Sequence, residues 1–138
     1  MTQTIHQHTF RNGLTLLAEQ MPWLESAAFA FLVPAGAVYD PPDRLGLSNL
    51  TCDMVQRGAG DRTSREFVEA LERLGVDRNS SVSLSHASYS GAALADNLLP
   101  AIALHADLLM RPLLPADQIE EVAAAFTGAL LLVGQPGS

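Results

Sequence analysis

The amino-acid sequence predicts an α+β fold: a two-layer arrangement in which one mostly antiparallel β-sheet is covered by helices. Three observations carry that expectation. Apolar runs with strand character fill the first third and return over 76–95, and apolar residues at helical spacing occupy 44–74 and everything after 96. The order is strands, two helices, two strands, two helices, rather than a regular βαβα alternation. Length agrees, since 138 residues suit one core and not two.

The elements follow from local chemistry. Thr9-Phe10-Arg11 and Leu14 to Ala18 flank Asn12-Gly13, which predicts a tight hairpin turn. Ala27 to Val33 is almost continuously apolar, as a buried central strand is. Pro34, Gly36 and Asp40-Pro41-Pro42-Asp43 then make a long loop. Residues 44–57 read as a helix with Leu47, Leu50 and Met54 on one stripe. Thr63-Ser64-Arg65-Glu66 is a capping-box pattern that opens a second helix over 64–74. That helix ends at Gly75 and offers Glu69 and Arg73 as an i,i+4 pair. Residues 76–84 and 86–94 form a strand pair in which serine and apolar residues partly alternate. Helices over about 96–110 and 116–133 close the chain, separated by Arg111-Pro112-Leu113-Leu114-Pro115. Residues 1–133 are thus expected to form one domain, with 134–138 a flexible tail.

Composition excludes several function classes. Net charge is −7, with eight arginines and no lysine, so the chain lacks the basic face that nucleic acid or an anionic membrane requires. Cys52 stands alone and cannot form an internal disulfide. The polar start, MTQTIHQHTFRNG, has no apolar signal core. The longest apolar run, 122–133, is 12 residues where a membrane span needs about 20. These features make a cytoplasmic chain the default expectation. Residues 122–133 are apolar on nearly every side, and a helix of that kind calls for a companion to bury it.

Several strings, in order over roughly residues 8–121, resemble the N-terminal part of the pitrilysin/insulinase family of zinc metallopeptidases, which includes mitochondrial processing peptidase. They are Asn12-Gly13-Leu14-Thr15, the loop Ala35 to Pro42, Gly46-Leu47, Gly58, Ser64 to Glu72, Gly75 and Leu108 to Leu113. In that family the helix after Gly-Leu carries His-x-x-Glu-His. Two imidazoles at i and i+4 hold zinc from one helix face, and the glutamate activates the metal-bound water. The resemblance places Asn49 and Asp53 at the histidine positions and Cys52 at the glutamate position. The family's third ligand is a glutamate on a later helix, yet no acidic residue follows Glu121. The motif is therefore degenerate: no metal site and no catalytic residue are expected, and no cofactor is predicted where the family uses zinc. At about 100° per residue from Leu47, Asn49, Cys52, Asp53 and Gln56 fall between about 140° and 240°, opposite the apolar stripe.

The resemblance also implies that Asn79 and the adjoining Ser80 help an extended peptide add to a sheet edge. Residues 78–81 suit such an edge, and equally an edge guarded by polar side chains. His6 and His8 alternate as a leading strand or a weak chelating pair, His86 reads as a strand residue, and His105 as a hydrogen-bonded boundary residue. The resemblance implies a companion, since proteins of this kind often pair an active subunit with an inactive one. The expected function is that of a proteolytically inactive homologue, a companion or peptide-binding subunit of a larger assembly. The alternatives are an endopeptidase with atypical ligands and a nonfunctional truncated product.

Overall fold

Strand pairing in the computed structural model, which describes residues 3–121, is antiparallel throughout. The expected single sheet is divided into three among the described residues. The first is the hairpin of β1 (Ile5–Thr9) and β2 (Thr15–Glu19). Its turn is longer than the predicted two residues. Phe10 N–H donates to Leu14 O, Gly13 N–H to Phe10 O, Asn12 Oδ1 accepts from Leu14 N–H, and Gly13 takes φ +88°. This is a three-residue loop in which glycine supplies the left-handed position. Every residue of β1 and β2 is exposed.

The central sheet has the order β3-β7-β6, from β3 (Ser26–Val33), β6 (Asp77–Val82) and β7 (Ala87–Leu94). Pairing is unbroken from Ser26↔Leu94 to Val33↔Ala87, and from Asp77↔Ala92 to Val82↔Ala87. The expected central strand, β3, therefore lies at an edge among the described residues. It alternates exposed and half-buried positions, because helices cover one face of the sheet only.

Those helices are α1 (Leu47–Met54), α2 (Ser64–Arg73) and α3 (Leu98–Met110). Between α1 and α2 lies an unanticipated small hairpin, β4 (Gly58–Ala59) with β5 (Arg62–Thr63). Ala59 also bridges to Pro112, so the segment after α3 is tied back to the α1–α2 connection. The core unites Cys52 of α1, Ala59, Phe67 and Leu71 of α2, Ala87 and Tyr89 of β7, and Leu104 and Leu108 of α3. Phe31, Val33 and Val82 pack against it from the strands. A further helix begins at 116; its expected continuation to 133, the all-round apolar run and the tail lie outside the described residues. No described helix is long and apolar enough to cross a membrane.

Two local expectations need correction. Glu69 pairs with Arg65, its i,i+4 neighbour on the N-terminal side, at 2.9 Å and not with Arg73. His86 belongs to the β6–β7 turn, where its carbonyl accepts from Ser83 N–H, and the strand starts at Ala87.

A candidate active-site helix along the edge of the sheet

The start of α1 is fixed from a distance. Gly46 adopts φ +95° and has no side chain to cap the helix. The carboxylate of Asp40 supplies the cap instead, accepting from Gly46 N–H at 3.0 Å, Ser48 N–H at 2.9 Å and Ser48 Oγ–H at 3.0 Å. An anion there also complements the helix dipole. Sequence reasoning missed this role, and the eight-residue gap between Asp40 and Ser48 hides it from any local capping pattern. The helix consequently spans eight residues, short of the expected 44–57.

The side chains of α1 do not divide as the stripe argument requires. Met54 is buried, but Leu47 is 40% exposed and Cys52 only 6% exposed. Cys52 and Met54 point in different directions because α1 packs toward β6 on one side and its own preceding loop on the other. Cys52, expected on the polar face, packs with Tyr89 in the core. Burial raises the pKa of the Tyr89 hydroxyl, with smaller contributions from Cys52 and from the nearby charge of Asp53. Asn49 and Asp53 are exposed. The three motif positions are thus parted: two face outward and the third is sealed inside.

Gln56 joins this helix to the sheet. Its Nε2 donates to Cys52 O at 2.8 Å and to Ser80 Oγ at 2.9 Å. Ser80 therefore faces α1, whereas Asn79 is exposed on the opposite face, its carbonyl accepting from Ser90 Oγ at 3.3 Å. The structure separates the two residues by the ordinary alternation of a strand. What they share is the β6 backbone, whose outer edge has no partner strand among the described residues. That edge closes beyond Val82, where Ala37 N–H donates to Ser83 O and Val38 N–H to Leu84 O. A Cβ at Gly36 would collide with the backbone of 84–86, so only glycine lets the loop approach this closely.

The histidines do not gather. His6 and His8 share one face of β1, His8 edge-on to Phe10, and His86 Nδ1 lies 2.7 Å from Ser85 Oγ. His105 is 2% exposed and so a core residue, not a boundary one; its Nδ1 lies 2.9 Å from Ala101 O and its ring stands edge-on to Phe29 at 4.6 Å. Burial lowers its pKa, and Arg78 adds to that effect. Phe29 reaches His105 by lying over Gly91, where even a methyl group would meet the ring at 2.7 Å. Among the described residues, no three His, Cys, Asp or Glu side chains come together as metal ligands do.

Natural zinc sites use three or four protein donors in tetrahedral geometry. Asn49 is a poor donor, Asp53 is a single exposed carboxylate, and Cys52 lies in the core. The residues at these positions do not fit the ion.

Helices on one face of an antiparallel sheet, the first bordering an open edge strand, define an α+β domain with a helix-walled edge. The particular family is shown by sequence: the profile of the insulinase family (peptidase family M16) matches residues 15–127, and the chain belongs to that family. It is 24% identical over 119 residues to an uncharacterized zinc protease of Rickettsia bellii, covering 86% of this chain and 29% of that protein. It is 26% identical over 114 residues to the mitochondrial-processing peptidase subunit beta of Dictyostelium discoideum, covering 82% and 24%. The fold matches a peptidase M16 inactive domain from Pseudomonas fluorescens with a TM-score of 0.84 at 21% identity, over 94% of this chain and 32% of that one. Pitrilysin gives the same TM-score at 22% identity, over 96% and 14%. The chain spans less than a third of the length of these proteins.

Proposed function

We propose that this chain is a non-catalytic member of its family, which contributes structure or binds an extended peptide within a larger assembly. One observation carries the reading: the position where the family's water-activating carboxylate belongs is occupied by Cys52, packed against Tyr89 in the core. A group that must deprotonate water has to reach water. The flanking positions, Asn49 and Asp53, supply one carboxylate between them. Loss of both imidazoles and of the acid removes ligand and base together.

The peptide-binding part rests on β6. Its open edge runs beside α1, and the 36–38 loop stops it at Ser83. An extended peptide could pair there through backbone hydrogen bonds alone, with Asn79 on one face and the Gln56–Ser80 link on the other. A partner carrying intact His-x-x-Glu-His would supply the chemistry. The protein is expected in the cytoplasm.

Metal analysis and a peptide-cleavage assay on the purified chain test the reading. The expected result is no zinc retained after dialysis and no cleavage, with amides of 77–82 slowing in hydrogen exchange when peptide is added. About one zinc per chain, together with cleavage stopped by a chelator and lost in Asp53→Ala, would establish the rival: an endopeptidase with atypical ligands.

A further inference from the structure

β6 presents its side chains alternately to two faces. Arg78, Ser80 and Val82 are half-buried on the side the helices cover, and Asp77, Asn79 and Ser81 are exposed on the other. On the covered side Val82 packs against the core, and Ser80 Oγ accepts from Gln56. Arg78 is the member of that row left unanswered. Its Nη1 is buried and has no hydrogen-bond partner among the described residues.

A buried guanidinium nitrogen calls for an acceptor, and the neighbouring elements supply none. Glu72 of α2 acts on Arg78 by its charge, yet it is exposed and forms no ion pair with it. His105 of α3 brings no negative charge, and its Nδ1 is engaged with Ala101 O. Across the sheet Arg78 is in register with Gly91 of β7 and, beyond it, Phe29 of β3. Neither has a side-chain acceptor. The side on which no described strand stands is the outer edge of β6 itself.

We infer that β6 selects extended peptides that carry an acidic side chain opposite Arg78. This rests on the reading that β6 takes a peptide, and it names the kind of peptide. Directly opposed residues of an antiparallel pair project to the same face, with Cβ atoms about 5 Å apart. A carboxylate opposite Arg78 therefore arrives on the covered side, where it can accept a charge-assisted hydrogen bond from the guanidinium. The next positions on that side meet the Ser80 hydroxyl and then Val82, which suit a small polar and an apolar side chain. The acid also fixes the register. A slip by one residue carries it to the other face, where Asp77 repels it. Because the chain carries −7, its general field disfavours an acidic peptide, so a preference for one has to come from a local cation.

Fluorescence anisotropy with the labelled peptide VTSTETSTV, which reads alike in both directions, tests this beside versions whose central Glu is Gln or Lys. The Glu peptide should bind at least about tenfold more tightly than the Gln peptide, and the Lys peptide most weakly. Arg78→Gln should bring the Glu and Gln affinities together. Arg65→Gln, the same loss of charge on an exposed residue of α2, should preserve the difference. Circular dichroism checks that each variant is folded; if Arg78→Gln is not, Arg78→Met replaces it. Peptides that all bind alike, or a preference for Glu that survives the loss of Arg78, overturn this inference and leave peptide binding by β6 standing. Binding of none of them overturns both.

Discussion

α1 and α2 contribute to the same core, and they are specified in opposite ways. Thr63 Oγ1 accepts from Glu66 N–H, its hydroxyl donates in turn to Glu66 Oε1 at 3.0 Å, and Phe67 and Leu71 fall on one buried stripe. Everything that makes α2 a helix lies within its own eleven residues. The cap of α1 comes from Asp40, its two buried side chains point apart, and its anchor to the sheet is Gln56, just beyond its end. α2 is a local structure that the core accepts, whereas α1 is held in place by its surroundings.

The largest expected effect tests whether position 52 is core or cleft. Cys52→Glu restores the family's carboxylate but buries it beside Tyr89 and Leu104. It should cost about 3 kcal/mol or more in urea unfolding, because a carboxylate there has no partner. A loss below about 1 kcal/mol would mean that the position opens readily to water. In that event α1 would resemble a working active-site helix far more than its packing indicates.

Next come the two caps. Asp40→Ala removes three hydrogen bonds from the start of α1 and should cost about 2 kcal/mol, while Thr63→Ala should cost about 1 kcal/mol. The order matters more than the values. If Thr63→Ala proved the costlier, the contrast between a remotely and a locally specified helix would fail.

A smaller effect concerns α3, which stands between the two cases. His105 is buried among Phe29 and the Arg78 guanidinium, with Glu72 the acidic group acting on Arg78. Its native pKa lies below the ordinary 6.5, so between the two values the unfolded chain holds more protons than the folded one. The stability contributed by neutral His105 is therefore full above about 6.5 and drains away as pH falls toward the native pKa. His105→Gln stays neutral and should flatten the stability profile as pH falls below about 6.5. An unchanged slope would mean that other groups set it.

This contrast also explains what could be read in the sequence. The α+β class, the cap at Thr63, the β6–β7 pair and α3 were all legible, because each rests on contacts within a few residues. The division into separate sheets and the edge position of β3 were not, since a continuous apolar run states only that a strand is apolar, not which neighbours flank it. At the candidate site, the residue types at 49, 52 and 53 were legible. The burial of Cys52 was not, because periodicity assumes one wet face and α1 is enclosed from two sides.

The last test asks how much of the motif's geometry survives. Asn49 and Asp53 are exposed and one helical turn apart. Asn49→His with Asp53→His places two imidazoles at i and i+4, a spacing that can share one ion without the third ligand or the buried acid. Added zinc or nickel should then raise the midpoint of unfolding, by about 1.4 kcal/mol at an ion concentration about ten times the dissociation constant, and should not raise that of either single variant. No peptide cleavage should accompany it, because Cys52 still stands where a base would have to be. A double variant that binds no metal would mean that α1 has lost the helical alignment as well as the side chains. Cleavage by that variant would mean that the missing imidazoles alone had silenced the domain.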